Sequence, residues 1–258
     1  MRLLVLLLLV FPRVALAQDN VGSLDASSSV ELIEDEDLAE PAVLDEEVAC
    51  ADEVVAADAP APVGRTIANL DAEACHALLR TRSVPFQGLE PDAAQGVGIP
   101  IRLTGTVDGI AVSHRGGSEL HEIVDCRLAV AILEWAPLLR EAGITALRHY
   151  SIYRPDARVA QSGRVSGHAH GMAIDLGRIE RDGELLTVLD GWEAREHGVN
   201  PCEGPFEESE ASARLRAVVC QAVERDLFQV VLTPHHDRAH QNHVHLEVRP
   251  GVDWSYVH

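Results

Sequence analysis

Two short segments of this chain carry donor atoms at spacings suited to a metal ion. The first is Ser166-Gly-His168-Ala-His-Gly171-Met-Ala173-Ile-Asp175, and the second is His240-Gln-Asn-His243-Val-His245. One supplies a His and an Asp; the other supplies a His-x-His. Three nitrogen and oxygen ligands with a fourth position open is the arrangement of a catalytic zinc, whereas structural zinc sites are closed by four protein ligands. The two segments therefore read as halves of a zinc hydrolase site.

Such a site needs elements that aim these side chains at one point. Side chains alternate between the faces of a strand. Around His245, Val244, Leu246 and Val248 share one face while His243, His245 and Glu247 share the other. The apolar face fixes the register against a core, so both His must project together. In the earlier segment Met172, Ile174 and Leu176 point one way, and Ala173 and Asp175 the other. If the two strands are neighbours, Asp175 and His245 meet. His168 precedes its strand in a turn bracketed by Gly167 and Gly171, where glycine lets the backbone curl over the same point.

Other elements follow from pattern. Asp71 caps a helix to Arg80. Strands are expected over 99–103 and 110–114, around the Val107-Asp-Gly109 turn. Asp125 caps a helix with Leu128, Ile132, Trp135 and Leu139 on its apolar face, bent by Pro137 and closed by Arg140 and Gly143. A strand over 146–153 leads into Arg154-Pro. The 171–179 strand turns at Arg181-Asp-Gly183 into a hairpin partner over 185–189. A helix over 208–226 and strands over 228–232 and 242–248 complete the chain. Helices with mostly antiparallel strands in this order give an α+β domain.

Composition divides the 258 residues. Met1 to Ala17 reads as a secretory signal peptide, with Arg2, an apolar run and an Ala15-Leu-Ala17 cleavage site. The run is too short to span a bilayer, which takes about 20 residues. Residues 18–63 form an acidic linker without aromatic or basic residues, expected to be disordered. The linker holds 14 of the 41 acidic residues, which concentrates the formal charge of -20 there. No basic stripe exists, which argues against nucleic-acid binding. Residues 64–258 are sized for one domain. The chain is expected to be exported, to the periplasm or beyond, where its five Cys can oxidise into one or two disulfides. Cys50, in the linker, is the expected odd thiol. Pairing cannot be read from spacing, and no Cys sits at metal-ligand spacing.

The Ser166-x-His168-x-x-Gly171-x-Ala173-x-Asp175 and His243-x-His245 motifs resemble those of the zinc peptidases related to lysostaphin, D-alanyl-D-alanine peptidases and hedgehog. The more particular resemblance is to the bacterial extensin-like C-terminal domain family. It is carried by Ala74-Cys-His-Ala-Leu-Leu, Gly98-Ile-Pro-Ile-Arg-Leu, Asp125-Cys-Arg-Leu-Ala, Tyr153-Arg-Pro, Val231-Leu-Thr-Pro and His240-x-x-His243-x-His245, from about Thr66 onward. The resemblance implies a largely antiparallel sheet with zinc on one face, ligated by His168, Asp175 and His245. His243 would lie beside the attacking water, His240 would be a further active-site His, and Arg154 would face the scissile carbonyl. It implies peptidoglycan stem peptides as substrate.

Two departures bear on this. Val97 and Tyr153 stand where family members often carry Cys, which implies that Cys75 lacks its usual partner. Asn242 occupies the place of a Glu found in many D-alanyl-D-alanine peptidases, so no Glu base is available there. Three readings result: a zinc peptidase acting on stem peptides or cross-links, a non-catalytic zinc-stabilised wall-binding domain, or a regulatory protein whose linker recruits a partner. His170, His235 and His236 are expected to face solvent or support the ligands. Ser166 and Gly171 are expected to shape the loop, and Glu247 to orient a ligand.

Overall fold

Asp71 opens the first long helix as expected: its carboxylate accepts the Ala74 N–H, satisfying an orphan donor of the first turn. A computed structural model describes residues 63–160, 162–193, 197–204 and 206–258. The expected signal peptide, Cys50 and the expected acidic linker up to residue 62 lie outside the described residues.

In chain order the described elements are α1 (Val63–Ala68), α2 (Ala72–Thr81), β1 (Phe86–Gly88), β2 (Pro100–Leu103), β3 (Ala111–His114), β4 (Ile123–Asp125), α3 (Cys126–Glu141), β5 (Ile144–His149), β6 (Ala173–Arg181), β7 (Glu184–Thr187), α4 (Val188–Gly191), α5 (Glu210–Glu224), β8 (Val230–Leu232), β9 (Val244–Glu247) and β10 (Tyr256–Val257). The result is an α+β domain with two mostly antiparallel sheets. The larger runs β10-β8-β9-β6-β5-β3, with β7 also paired to β6; the smaller is β1-β2-β4. Among the described strands only the outer pairs β10/β8 and β3/β5 are parallel.

Helix α3 fills the core because its apolar residues recur at helical spacing. Leu128, Ile132, Trp135 and Leu139 are fully buried, each contributing about 1.5–3 kcal/mol by leaving water. Trp135 packs edge-on against Phe228 at 5.7 Å and donates its indole N–H to Val218 O of α5 at 3.2 Å. The helix runs on through the exposed Pro137. Asp125, completely buried, caps α3 through Arg127 N–H and also accepts Ile99 N–H and a two-pronged ion pair from Arg127.

Several boundaries depart from the sequence reading. The Val107–Ile110 turn forms, with Asp108 and Gly109 at positive φ, but it does not join a hairpin. Both edges of β2 are taken by β1 and β4, so β3 crosses to pair with β5. The strand expected over 146–153 ends at His149, where a register shift loosens its pairing with β6. The chain beyond it still follows β6 through Tyr150 N–H to Asp175 O (2.9 Å) and Asp175 N–H to Ser151 O (3.0 Å). The hairpin partner β7 stops at Thr187, whose hydroxyl caps α4 by accepting Asp190 N–H.

Cys75 is bonded to Cys126, joining α2 to the start of α3, one of the two disulfides in the expected range. A second disulfide links Cys202 to Cys220 in α5. Among the described residues no helix is long and apolar enough to cross a membrane.

Candidate metal centre

β6 and β9 are direct neighbours, and Asp175 lies opposite His245 in their antiparallel register. The alternation of apolar and polar residues in both strands puts the two side chains on the same face of the sheet. Ile174, Leu176, Val244 and Leu246 join the core on one face, which sends Asp175, His245 and Glu247 to the other.

His168 arrives from a short 3-10 turn, Gly167–His170. Ser166 caps that turn by accepting His168 N–H at 3.3 Å. Gly171 ends it in the left-handed region, φ 62°, and its carbonyl accepts Asp125 N–H, tying the loop to the cap of α3. Gly167 allows close approach: a Cβ there would stand 2.5 Å from the carboxyl carbon of Glu247.

These constraints gather three buried donors. His168 Nε2 is 2.9 Å from Asp175 Oδ1 and 3.2 Å from His245 Nδ1, and His245 Nδ1 is 3.1 Å from Asp175 Oδ1. The group could hold a metal ion. Ligands of a tetrahedral zinc at 2.0–2.1 Å stand about 3.3 Å apart, so the triangle needs only slight expansion. The protons are also placed correctly. His168 donates Nδ1–H to Ile152 O at 2.7 Å, which leaves Nε2 as the ligand atom. His245 donates Nε2–H to Glu247 Oε2 at 3.1 Å, which leaves Nδ1 as the ligand atom. Glu247 is in turn held by Arg249 (Nε to Oε1, 2.9 Å), a carboxylate–histidine support typical of metal sites. Ser151 donates its hydroxyl to Asp175 Oδ2 at 2.9 Å, so the carboxylate presents Oδ1 inward.

The charges follow from this network. Burial pulls His168 below its ordinary pKa despite the Asp175 contact. Burial opposes ionisation of Asp175, but its close contacts with the rings of His168, His243 and His245 hold it well below the carboxylate range. For His245 burial is outweighed by hydrogen bonds to Asp175 and Glu247, raising it to about 9. Glu247 is pushed up by burial, yet contacts with His245 and Arg249 bring it below its ordinary value. Without a metal, the proton of the triad therefore resides on His245.

The remaining expected residues lie around this triad. His243 donates Nδ1–H to Asn242 Oδ1 (2.8 Å) and turns Nε2 to within 3.3 Å of Asp175 Oδ1. Arg154, half-exposed, brings Nη2 to 3.9 Å from Asp175 Oδ2, and its backbone N–H donates to His168 O. His240 stands 5.1 Å from the His243 ring and 6.2 Å from the His245 ring. The structure thus brings together all six residues, His168, Asp175, His245, His243, His240 and Arg154.

The sequence reading missed several supports. Asp237 accepts His240 Nδ1–H at 2.6 Å, and an Asp three positions before a His is a detectable capping signal. Arg249 continues the His245, Glu247 alternation and was readable by the same rule. Ser151 and the Ile152 carbonyl follow the register shift in β5 and leave no sequence signal. His149, also missed, is buried beside the site, and desolvation together with neighbouring His114 lowers its pKa to about 3. Of the two expectations for His235, facing solvent or supporting the ligands, the first is excluded: it is buried, near the rings of Trp192 and Phe206.

The family described as "Extensin-like protein C-terminus" matches residues 73–256. The match covers most of the chain, which belongs to this family. Comparisons with curated proteins and with solved structures find no match.

Proposed function

We propose that this extensin-like C-terminal domain is an exported zinc peptidase that hydrolyses amide bonds in peptidoglycan stem peptides or cross-links. The observation that carries the reading is the buried triad of His168, Asp175 and His245, with the outer imidazole protons held by Ile152 O and Glu247. The resemblance to zinc peptidases of the D-alanyl-D-alanine and hedgehog type supports the reaction class. The signal-like N-terminus and the two disulfides support export into an oxidising compartment.

Zinc, when bound, polarises a carbonyl and lowers the pKa of water to about 7. His168, Asp175 and His245 would hold it. His243, with Nδ1–H fixed by Asn242, offers Nε2 to accept a proton from the attacking water. Arg154 places a guanidinium beside the centre, where it stabilises the oxygen that gains charge as the carbonyl is attacked. His240, held by Asp237, delivers a proton to the amine that leaves when the C–N bond breaks.

A second reading is a non-catalytic wall-binding domain whose zinc is structural. One observation favours it: Asn242 stands where related peptidases carry a Glu base. Purified cell walls incubated with wild type and His243→Ala separate the two. Soluble peptide release by the wild type, lost in a variant that keeps its zinc, supports the peptidase. Intact walls that bind both proteins equally support the binding domain.

A further inference from the structure

We propose that His236, Asp237 and His240 form a second divalent-cation site, distinct in its ligands from the triad. Each residue offers one donor atom, and the three donors lie within 4.8 Å of one another. His236 Nε2 is 3.8 Å from Asp237 Oδ2, and His240 Nδ1 is 2.6 Å from Asp237 Oδ1. The two imidazoles are 5.3 Å apart and nearly perpendicular.

The backbone builds this cluster before any ligand binds. Asp237 is extended and caps the 3-10 turn Arg238–His240, accepting His240 N–H on its carboxylate at 3.0 Å. That turn folds His240 back over Asp237. His236 is fixed at both its backbone groups, donating N–H to Thr233 O and accepting His197 Nδ1–H on its carbonyl. Gathering three ligands therefore costs little further chain entropy, which is the main cost of assembling a site from one short segment. The side chains are only partly exposed, about one-fifth each or less, so an ion would be partly desolvated while an entry path remains.

Two imidazoles and a carboxylate select a borderline transition ion such as zinc, nickel or copper over magnesium or calcium. Binding at His240 Nδ1 replaces its hydrogen bond to Asp237 Oδ1 and leaves the other ring nitrogen of His240 outside the ligand set. His240 stands 6.2 Å from His245, so the two sites are neighbours that share no ligand.

The test uses the full chain and Zn2+ alone. Protein is dialysed to equilibrium against Zn2+ buffered in the micromolar range, and bound metal per chain is measured. The expected result is two ions for wild type, one for His236→Gln, one for Asp175→Asn and none for the double variant. Asp237→Asn keeps the cap and should also bind one, which guards against a folding defect in His236→Gln. One ion in the wild type that His236→Gln retains would overturn the proposal, as would loss of all metal in Asp175→Asn. One ion lost in His236→Gln but kept in Asp175→Asn would uphold this site and reject the triad as the metal centre.

Discussion

Metal affinity at the triad should depend steeply on pH, because the ion must displace the proton on His245. That imidazole lies between two carboxylates, Asp175 at 3.1 Å and Glu247 at 3.1 Å, which raise its pKa to about 9. At pH 7 only about 1% of the metal-free protein then carries a neutral His245 ready to ligate. Apparent Zn2+ affinity should fall about tenfold per pH unit below 9, or about 100-fold between pH 9 and pH 7, and flatten above 9. Competition against a chelator across this range measures the slope. Calorimetry in buffers of different ionisation enthalpy should count about one proton released per ion at pH 7. Glu247→Gln removes one of the two carboxylates that raise His245, so the bend in the profile should move to lower pH. An affinity constant from pH 7 to 9, or no proton release, would refute the reasoning.

Three further outcomes concern stability. Asp125→Ala strands Ile99 N–H and unpairs Arg127, and should cost about 3–5 kcal/mol in urea unfolding. Removing the Cys75–Cys126 disulfide, which spans 51 residues, should cost about 4 kcal/mol, against about 3 kcal/mol for Cys202–Cys220, which spans 18; thermal melts of the two double-Ser variants rank them. His149 is neutral in the fold down to about pH 3, whereas the unfolded chain takes up its proton near 6.5. Its contribution is therefore fully present above pH 6.5 and is lost as pH falls toward 3, by up to about 5 kcal/mol. Urea midpoints should drop across that window, and the drop should shrink in His149→Leu.

The site was more legible than the sheet that carries it. Strict alternation in 244–248 and 172–176 fixes which face of each strand is buried and so puts Asp175 and His245 on one side of the sheet, where the observed register sets them opposite each other. The helix caps at Asp71 and Asp125 were equally plain because a side-chain oxygen meeting an orphan N–H is a local event. What failed was non-local. Whether 110–114 pairs with 99–103 depends on β1 and β4 occupying the edges of β2, and neither three-residue strand has a pattern of its own. The Cys75–Cys126 bond likewise depends on how α2 packs against α3, which spacing does not encode. Ser151 and Ile152 reach the site through a shift of strand register and could be seen only in three dimensions.

The most direct test of the central claim is mass analysis of purified peptidoglycan incubated with the protein, with chelator, and with chelator followed by Zn2+. The account predicts muropeptide release that stops with chelator, returns with Zn2+ and is absent in Asp175→Ala, the product masses naming the bond cleaved. No release by a protein carrying stoichiometric zinc at the triad would contradict it.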